Sequence, residues 1–259
     1  MLRRGAAGAK KTRRTKRGST TNAAPKAGEQ LELAITKRKG KWGGQRPGAG
    51  RPRKKNAIRH DARPDLPKDT PVHVSMRVVK EVGRLRRPEP FAAIRRAVGA
   101  CIGRSDFRIV HVSIQSNHIH LIVEADDKYA LANGVRAFMI AAARYLNQIT
   151  GRRGTAFDGR YHAVPLTTPL QVRNALCYVL NNWRRHREDY EAPAQVDKYS
   201  TSILFDGWAG LTRPFKVPAN YEPIPVSGAT TWLLTTGWRK HHPLIRLDET
   251  PGPLRGLVD

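Results

Sequence analysis

Two short runs of alternating apolar and polar residues constrain the fold of this chain more than any other feature. They are Phe107 to Ile114 and His118 to Glu124, and Gln115-Ser116-Asn117 separates them. Alternation with a period of two is typical of half-buried strands, and small polar residues favour a turn. The stretch therefore predicts an antiparallel β-hairpin.

The second strand of this hairpin carries two histidines, His118 and His120. Side chains two positions apart leave the same face of a strand, so both imidazoles are predicted to approach one point, as a metal site requires. An isolated His-x-His pair on a strand is more often a pair of surface histidines. Evidence from elsewhere in the chain must decide between these interpretations.

The rest of the central region predicts an alternation of strands and helices. Around the hairpin, the spacing of apolar residues predicts strands at 71–79 and 161–166 and helices at 90–103, 128–150 and 168–187. Thr168 and Pro169 are a favourable cap and first-turn pair for the last helix. The order β-α-β-β-α-β-α predicts an α+β fold, a ferredoxin-like split β-α-β with a four-stranded antiparallel sheet plus one added helix. We expect two helices on one side of the sheet and an open face on the other.

Positive charge is concentrated in the first 60 residues of the chain. Residues 1–60 contain 19 Lys or Arg against two acidic residues, and the whole chain has a formal net charge of +26. Such a segment buries too little apolar surface to fold alone, and the charge predicts a polyanionic partner, most commonly nucleic acid. We predict a basic, largely disordered arm at 1–60, a catalytic domain at 70–190 and an aromatic and proline-rich extension at 191–259.

The end of the arm presents cations on a backbone rich in glycine and proline. The candidate DNA-binding residues there are Arg46, Arg51, Arg53, Lys54 and Lys55. A narrow ribbon of arginines suits the minor groove of DNA. A flexible basic linker that binds only by releasing counterions is an equally good interpretation.

Cys101 and Cys177 both lie in apolar helical patterns, which predicts buried thiols rather than a disulfide framework. No apolar run is long enough for a membrane span. We expect a cytoplasmic, nucleoid-associated protein without a membrane partner.

The last predicted helix adds two functional groups. Tyr178 and Asn182 are four residues apart, so they share one face a single turn apart. The amide oxygen of Asn182 is a candidate third ligand beside His118 and His120, which would place Tyr178 next to the bound cation.

Asn117-His118-Ile119-His120-Leu121, followed by Tyr178-x-x-x-Asn182 on a helix, resembles the HUH single-tyrosine transposases, specifically the branch of REP-associated tyrosine transposases. The resemblance implies that His118, His120 and Asn182 hold a divalent metal and that Tyr178 is the nucleophile. Two departures stand out. The turn reads Gln115-Ser116 where the family usually has Met-Pro, and Trp183 stands where Pro often follows the Asn.

What the resemblance implies is a metal-dependent endonuclease and strand transferase that acts on single-stranded or hairpin DNA through a 5′-phosphotyrosine. Imidazole and amide ligands favour Mg²⁺ or Mn²⁺ over a closed zinc site. Relatives imply either a monomer or a homodimer. The alternatives are a domesticated, catalytically silent DNA-binding protein and a relaxase or replication initiator, although the chain shows no helicase or further tyrosine motif.

Several other polar and aromatic residues have two interpretations. The cations predicted to follow the DNA backbone are Arg152, Arg153, Arg160, Arg184 and Arg185. Solubilising surface cations are the alternative. We expect His111 to be a satisfied buried histidine rather than a member of the site, whereas His162 could contact phosphate. For the tryptophans of the extension, a small apolar core is favoured over base stacking.

Overall fold

The computed structural model describes residues 64–188, 196–210, 215, 219 and 221–252. The sheet contains the strands β1 (Val72–Arg77), β2 (Phe107–Ile114), β3 (His118–Ala125) and β4 (His162–Pro165). All four are antiparallel to their neighbours, in the order β2-β3-β1-β4. The principal helices are α1 (Pro88–Gly99), α2 (Lys128–Thr150) and α3 (Pro169–Arg185), and a short α4 (Trp238–His241) follows a single π-helical turn (Leu233–Gly237). The predicted α+β fold is confirmed.

One face of the sheet forms the larger core with α1 and α2. Alternate residues of the two central strands point to this side and are almost fully buried: Val72, Val74, Met76, Ile119, Leu121 and Val123. They pack against Ile94 of α1 and Phe138 of α2. The period-two pattern therefore decides which β3 residues face away from these helices, and those residues include His118 and His120.

The opposite face is covered, so the expectation of an open face is wrong. Ile122 of β3 lies in a second buried cluster with α3 and with Trp208, Trp238 and Ile245 of the extension. The apolar side of α3 is too large to leave exposed. It packs on the sheet, while the extension covers the outer side of the helix.

Helix α1 ends earlier than its apolar spacing predicts. It stops at Gly99, and the chain turns away through Gly103, whose φ is 88°. Cys101 takes the inward position after the helix, whereas Ile102 is 49% exposed. The predicted extension of the helix to 103 is therefore wrong.

Candidate active site

The face of the sheet beneath α3 brings histidines from two strands together. On β1 and β3, Ser75 lies opposite His120, and His73 lies opposite Ile122. Paired residues share a face of the sheet, so His73 and His120 are diagonal neighbours. The imidazoles of His73 and His120 stack with ring centroids 5.3 Å apart, and those of His118 and His120 meet edge to face at 4.7 Å.

The helix that carries the tyrosine has strong local signals for its start. The Thr168 hydroxyl accepts the backbone N–H of Gln171, and the Gln171 side chain accepts the backbone N–H of Thr168. This reciprocal capping box, with Pro169 in the first turn, fixes where α3 begins. The start in turn sets which side chains face the sheet one and two turns later.

Tyr178 and Asn182 on α3 and His186 just after it are spaced one turn apart. The ring of Tyr178 is 5.2 Å from that of His120 and 5.8 Å from that of His73. His186, just after the helix, is 5.4 Å from His118. Asn182 lies between Tyr178 and His186 along the chain and is fully buried. The structure thus brings Tyr178 together with His118 and His120, and it places Asn182 one helical turn after Tyr178.

Burial keeps two of the site imidazoles neutral. Desolvation lowers the pKa of His73 to about 4. Desolvation, followed by the proximity of His73, His118 and His186, lowers the pKa of His120 well below its usual value. A neutral imidazole retains a lone pair on one ring nitrogen, which is the form that binds a metal.

The polar atoms without partners show where an ion would fit. Nε2 of His120 and both side-chain atoms of Asn182 are buried and have no hydrogen-bond partner among the described residues. Buried polar atoms are normally satisfied, so orphaned ones require an explanation such as an absent ion or water. Within the described ranges, no three His, Cys, Asp or Glu side chains form a metal-binding group. An ion held here would have the amide oxygen of Asn182 available as a ligand beside the histidines.

A basic cavity opens beside the histidine pair. It has a volume of about 430 Å³, and its lining includes Asn117, the neighbour of His118, together with Arg77, Lys80 and Arg84. Arg77 lies directly opposite His118 in the sheet. Cations in this position suit an approaching phosphate.

Tyr178 itself is nearly closed off from solvent. Its side chain is 3% exposed, and the guanidinium carbon of Arg185 lies 5.7 Å from its ring centroid. A DNA phosphate can reach the phenol only if the end of α3, or the basic side chains over it, move.

A polar network fastens the end of α3 to the turn before His118. Glu188 accepts hydrogen bonds from Ser116 in the turn and from Arg84. Next to it, Arg86 forms a buried two-pronged pair with Asp197, with N–O distances of 2.8 and 2.9 Å, and donates to the carbonyl oxygen of Ile114 at 3.0 Å. The tyrosine helix and the histidine strand are thereby tied together at one end.

The extension also holds α3. The Asn181 amide donates to the carbonyl oxygens of Arg246 and Glu249, both at 3.0 Å, and Ser202 donates to the carbonyl oxygen of Leu180 at 2.8 Å. Arg173 pairs with the Glu249 carboxylate. Trp208 and Trp238 are 3% and 0% exposed, as expected for a small apolar core, whereas Trp232 is 52% exposed.

The predicted DNA-binding cations are dispersed. Arg184 donates to the carbonyl oxygen of Leu247 at 2.8 Å, so part of its guanidinium faces the extension. Arg152 and Arg153 follow α2, and Arg160 lines a separate cavity of about 770 Å³ between α2 and the loop that precedes β4. Arg46, Arg51, Arg53, Lys54 and Lys55 lie outside the described residues. Their DNA contacts stay predictions.

Two members of the site were missed from the sequence, His73 and His186. His73 alternates with Val72 and Val74 on β1. This pattern predicts the face of the strand on which His73 lies, but it does not predict that His120 is its neighbour. His186 is eight residues after Tyr178, which is two helical turns. His111 is not part of the site, because its Nδ1 lies 3.2 Å from the Thr201 hydroxyl and its ring packs on Phe205. His162 is exposed on β4.

The four-stranded sheet thus carries two strand histidines beneath a buried tyrosine on a helix. Residues 76–182, from β1 to Asn182, match the sequence model of a family described as "Transposase IS200 like". This match to the central region of the chain confirms the resemblance seen in the sequence.

Two solved structures similar to this chain carry related descriptions. One is a REP-associated tyrosine transposase bound to a REP hairpin, with 14% identity over 55% of this chain and 82% of that chain and a TM-score of 0.41. The other, from Deinococcus radiodurans R1, is described as a "putative transposase", with 15% identity over 52% of this chain and 93% of that chain and a TM-score of 0.30. A search of curated proteins found no match. In the described part of the chain, no helix is long and apolar enough to cross a membrane.

Proposed function

We propose that this protein is a metal-dependent endonuclease and strand transferase that acts on single-stranded DNA at hairpin or palindromic repeats, through a 5′-phosphotyrosine on Tyr178. The observation that carries the proposal is the contact of Tyr178 with His120 and His73, one helical turn from the buried amide of Asn182, which has no hydrogen-bond partner among the described residues. The family match supports the transposase class. Hairpin DNA as the substrate follows from the resemblance of the two motifs.

Each residue of the site has a proposed role that follows from its chemistry. His118, His120 and Asn182 would hold Mg²⁺ or Mn²⁺, which when bound stabilises the negative charge that develops on phosphate oxygens. Arg77 and Lys80, exposed in the basic cavity, position the backbone of the incoming strand. The guanidinium of Arg185 lies over the Tyr178 ring, where it can contact a phosphate that approaches the phenol.

The covalent step is a transesterification at phosphorus. The Tyr178 oxygen forms a bond to the phosphorus as the bond to the 3′ oxygen breaks, and the net result transfers the phenol proton to the leaving oxygen, which becomes a 3′-hydroxyl. The 5′ phosphate remains on the tyrosine. Because one phosphodiester replaces another, a different 3′-hydroxyl can reverse the reaction and join a new strand.

The Tyr178 ring lies 5.2 Å from the His120 ring of its own chain, which supports a tyrosine that acts in its own subunit. On this proposal a monomer is sufficient for cleavage. Mixing Tyr178→Phe with His120→Ala protein checks this directly, since a site shared between subunits would recover activity in the mixture and a single-chain site would not.

The burial of Tyr178 favours a second candidate function, a silent DNA-binding protein that keeps the fold and the basic arm. One experiment separates the two. The protein is incubated with Mn²⁺ and an end-labelled hairpin that carries single-stranded flanks, and both DNA binding and SDS-resistant adducts are measured. The nuclease forms an adduct that Tyr178→Phe abolishes and that the control Tyr145→Phe, on α2, retains. Tight binding without metal-dependent nicking identifies the silent binder and overturns the proposal.

A further inference from the structure

One buried imidazole has no part in the chemistry above. His73 on β1 is 1% exposed, and its Nε2 lies 3.2 Å from Nδ1 of His120. The two rings are close to parallel, with 19° between their planes. Since the ring nitrogens point at each other, one must carry the proton and the other must accept it.

The neighbouring histidine shows how such a contact acts on a ligand. Nδ1 of His118 lies 2.8 Å from the side-chain oxygen of Asn117. An amide oxygen only accepts, so Nδ1 of His118 carries the proton in this pair. In a neutral imidazole, Nε2 of His118 is then left with the lone pair that a metal needs.

His120 requires the same arrangement. Its Nε2 is buried without a hydrogen-bond partner among the described residues, and it is the nitrogen not engaged by His73. For Nε2 to bind a cation, the proton of the neutral ring must lie on Nδ1. The only acceptor that the contact offers that proton is Nε2 of His73. The His73 proton is then on Nδ1, which is also buried without a hydrogen-bond partner among the described residues.

We propose that His73 is a positioning residue that fixes the tautomer and ring orientation of His120, so that His120 Nε2 faces the site as a metal ligand. The proposal rests on the proposed function, because it assigns a role toward the same ion. His73 is not itself a ligand in this arrangement, since its Nε2 is occupied by His120. The partner that receives the second N–H of a ligand histidine raises the basicity of that ligand and restricts its rotation.

A purely structural role makes a different prediction. His73 also contacts the Tyr178 ring at 5.8 Å, so it fills space between β1 and α3. If filling space were its whole role, an apolar side chain of similar size would serve. If it accepts the His120 proton, only a side chain with an acceptor will.

The test compares His73→Leu with His73→Gln, whose amide oxygen can accept, in calorimetric titrations of the full chain with MnCl₂. We expect His73→Leu to weaken Mn²⁺ binding about 10- to 100-fold and His73→Gln to recover most of it. His111→Leu, at a partly buried histidine on the same face, is the control and should leave Mn²⁺ affinity unchanged. Thermal melts verify that each variant is folded.

A second measurement needs no variant. With ¹⁵N-labelled histidine and saturating Mg²⁺, NMR should show a protonated Nδ1 and an unprotonated Nε2 on His120. This proposal is overturned if the His73→Leu variant binds Mn²⁺ as tightly as the wild-type chain, or if Nε2 of His120 carries the proton. The proposed function stands in either case. Failure of the wild-type chain to bind Mn²⁺ overturns both.

Discussion

The phenol ring of Tyr178 stands edge-on to the imidazole of His120, with an angle of 88° between their planes and 5.2 Å between their centroids. This contact joins the helix α3 to the central strand β3. Its geometry depends on the capping box at one end of α3 and on the Glu188 network at the other.

We expect the buried amide of Asn182 to lower the stability of the fold. Its buried amide lacks a hydrogen-bond partner among the described residues, and burying such a group costs about 1–3 kcal/mol. Asn182→Leu should therefore raise the free energy of unfolding by about 1 kcal/mol and abolish Mn²⁺ binding, as measured by urea denaturation and calorimetry. The adjacent Asn181→Leu is the matched control. It breaks two hydrogen bonds to the extension, so it should lower stability by about 1–3 kcal/mol. Equal losses in both variants would contradict this account of Asn182.

Glu124 makes stability depend on pH. Burial alone would raise the pKa of its carboxyl, but the hydrogen bonds that it accepts from Thr230 and Thr231 lower the pKa overall. A lowered folded-state pKa means that the carboxylate stabilises the fold above the unfolded pKa of about 4.3 and that this contribution disappears as the pH falls through the folded value. Glu124→Gln should cost about 1.5–3 kcal/mol at pH 7 and progressively less below about pH 4. Denaturant titrations over this pH range measure the difference in the free energy of unfolding between Glu124→Gln and the wild-type chain. If Glu124 did not stabilise the fold, this difference would not depend on pH.

Arg86 and Asp197 form the most deeply buried ion pair of the Glu188 network, with side chains 5% and 1% exposed. Arg86→Ala leaves the Asp197 carboxylate buried and unpaired, so it should cost about 3–5 kcal/mol of stability. It should also loosen the turn before His118, which hydrogen exchange at Ser116 to His118 would detect. Arg246→Ala removes an exposed ion pair with Asp248 and should change neither quantity. A small effect at Arg86 would show that the network does not hold the turn.

Gly134 allows α2 to approach the sheet. A Cβ at this position would overlap the Phe107 ring of β2, so Gly134→Ala should destabilise the fold by about 1–3 kcal/mol, despite the better helix propensity of alanine. At Gly99, near the end of α1, the added Cβ meets only Pro225 at an ordinary 3.5 Å. Gly99→Ala should leave stability unchanged or slightly higher. Thermal melts of the two variants compare directly, and a stabilised Gly134→Ala would refute the close approach.

The hairpin, the helices and four of the site residues could be predicted from the sequence because each depends on local periodicity. Two positions along a strand or four along a helix suffice to place His118 with His120 and Tyr178 with Asn182. No comparable signal places His73 beside His120, since that contact depends on the order of strands in the sheet. The hydrophobic pattern specifies faces of strands, and it leaves their neighbours undetermined.

The covered face of the sheet escaped prediction for a related reason. Trp238 and Ile245 are fully buried against α3, yet they belong to short segments without regular periodicity. Their positions depend on long-range contacts such as the bond from Asn181 to the Arg246 carbonyl oxygen. Only the tertiary structure reveals that the extension forms part of the support for the tyrosine helix.

The identity of the nucleophile is the central claim, and peptide mass spectrometry of the covalent adduct tests it most directly. After reaction with Mn²⁺ and a hairpin substrate, nuclease and protease digestion should leave a nucleotide attached through its 5′ phosphate to the peptide that contains Tyr178, with none in Tyr178→Phe. A nucleotide on any other residue, or an adduct that persists in Tyr178→Phe, would contradict the account.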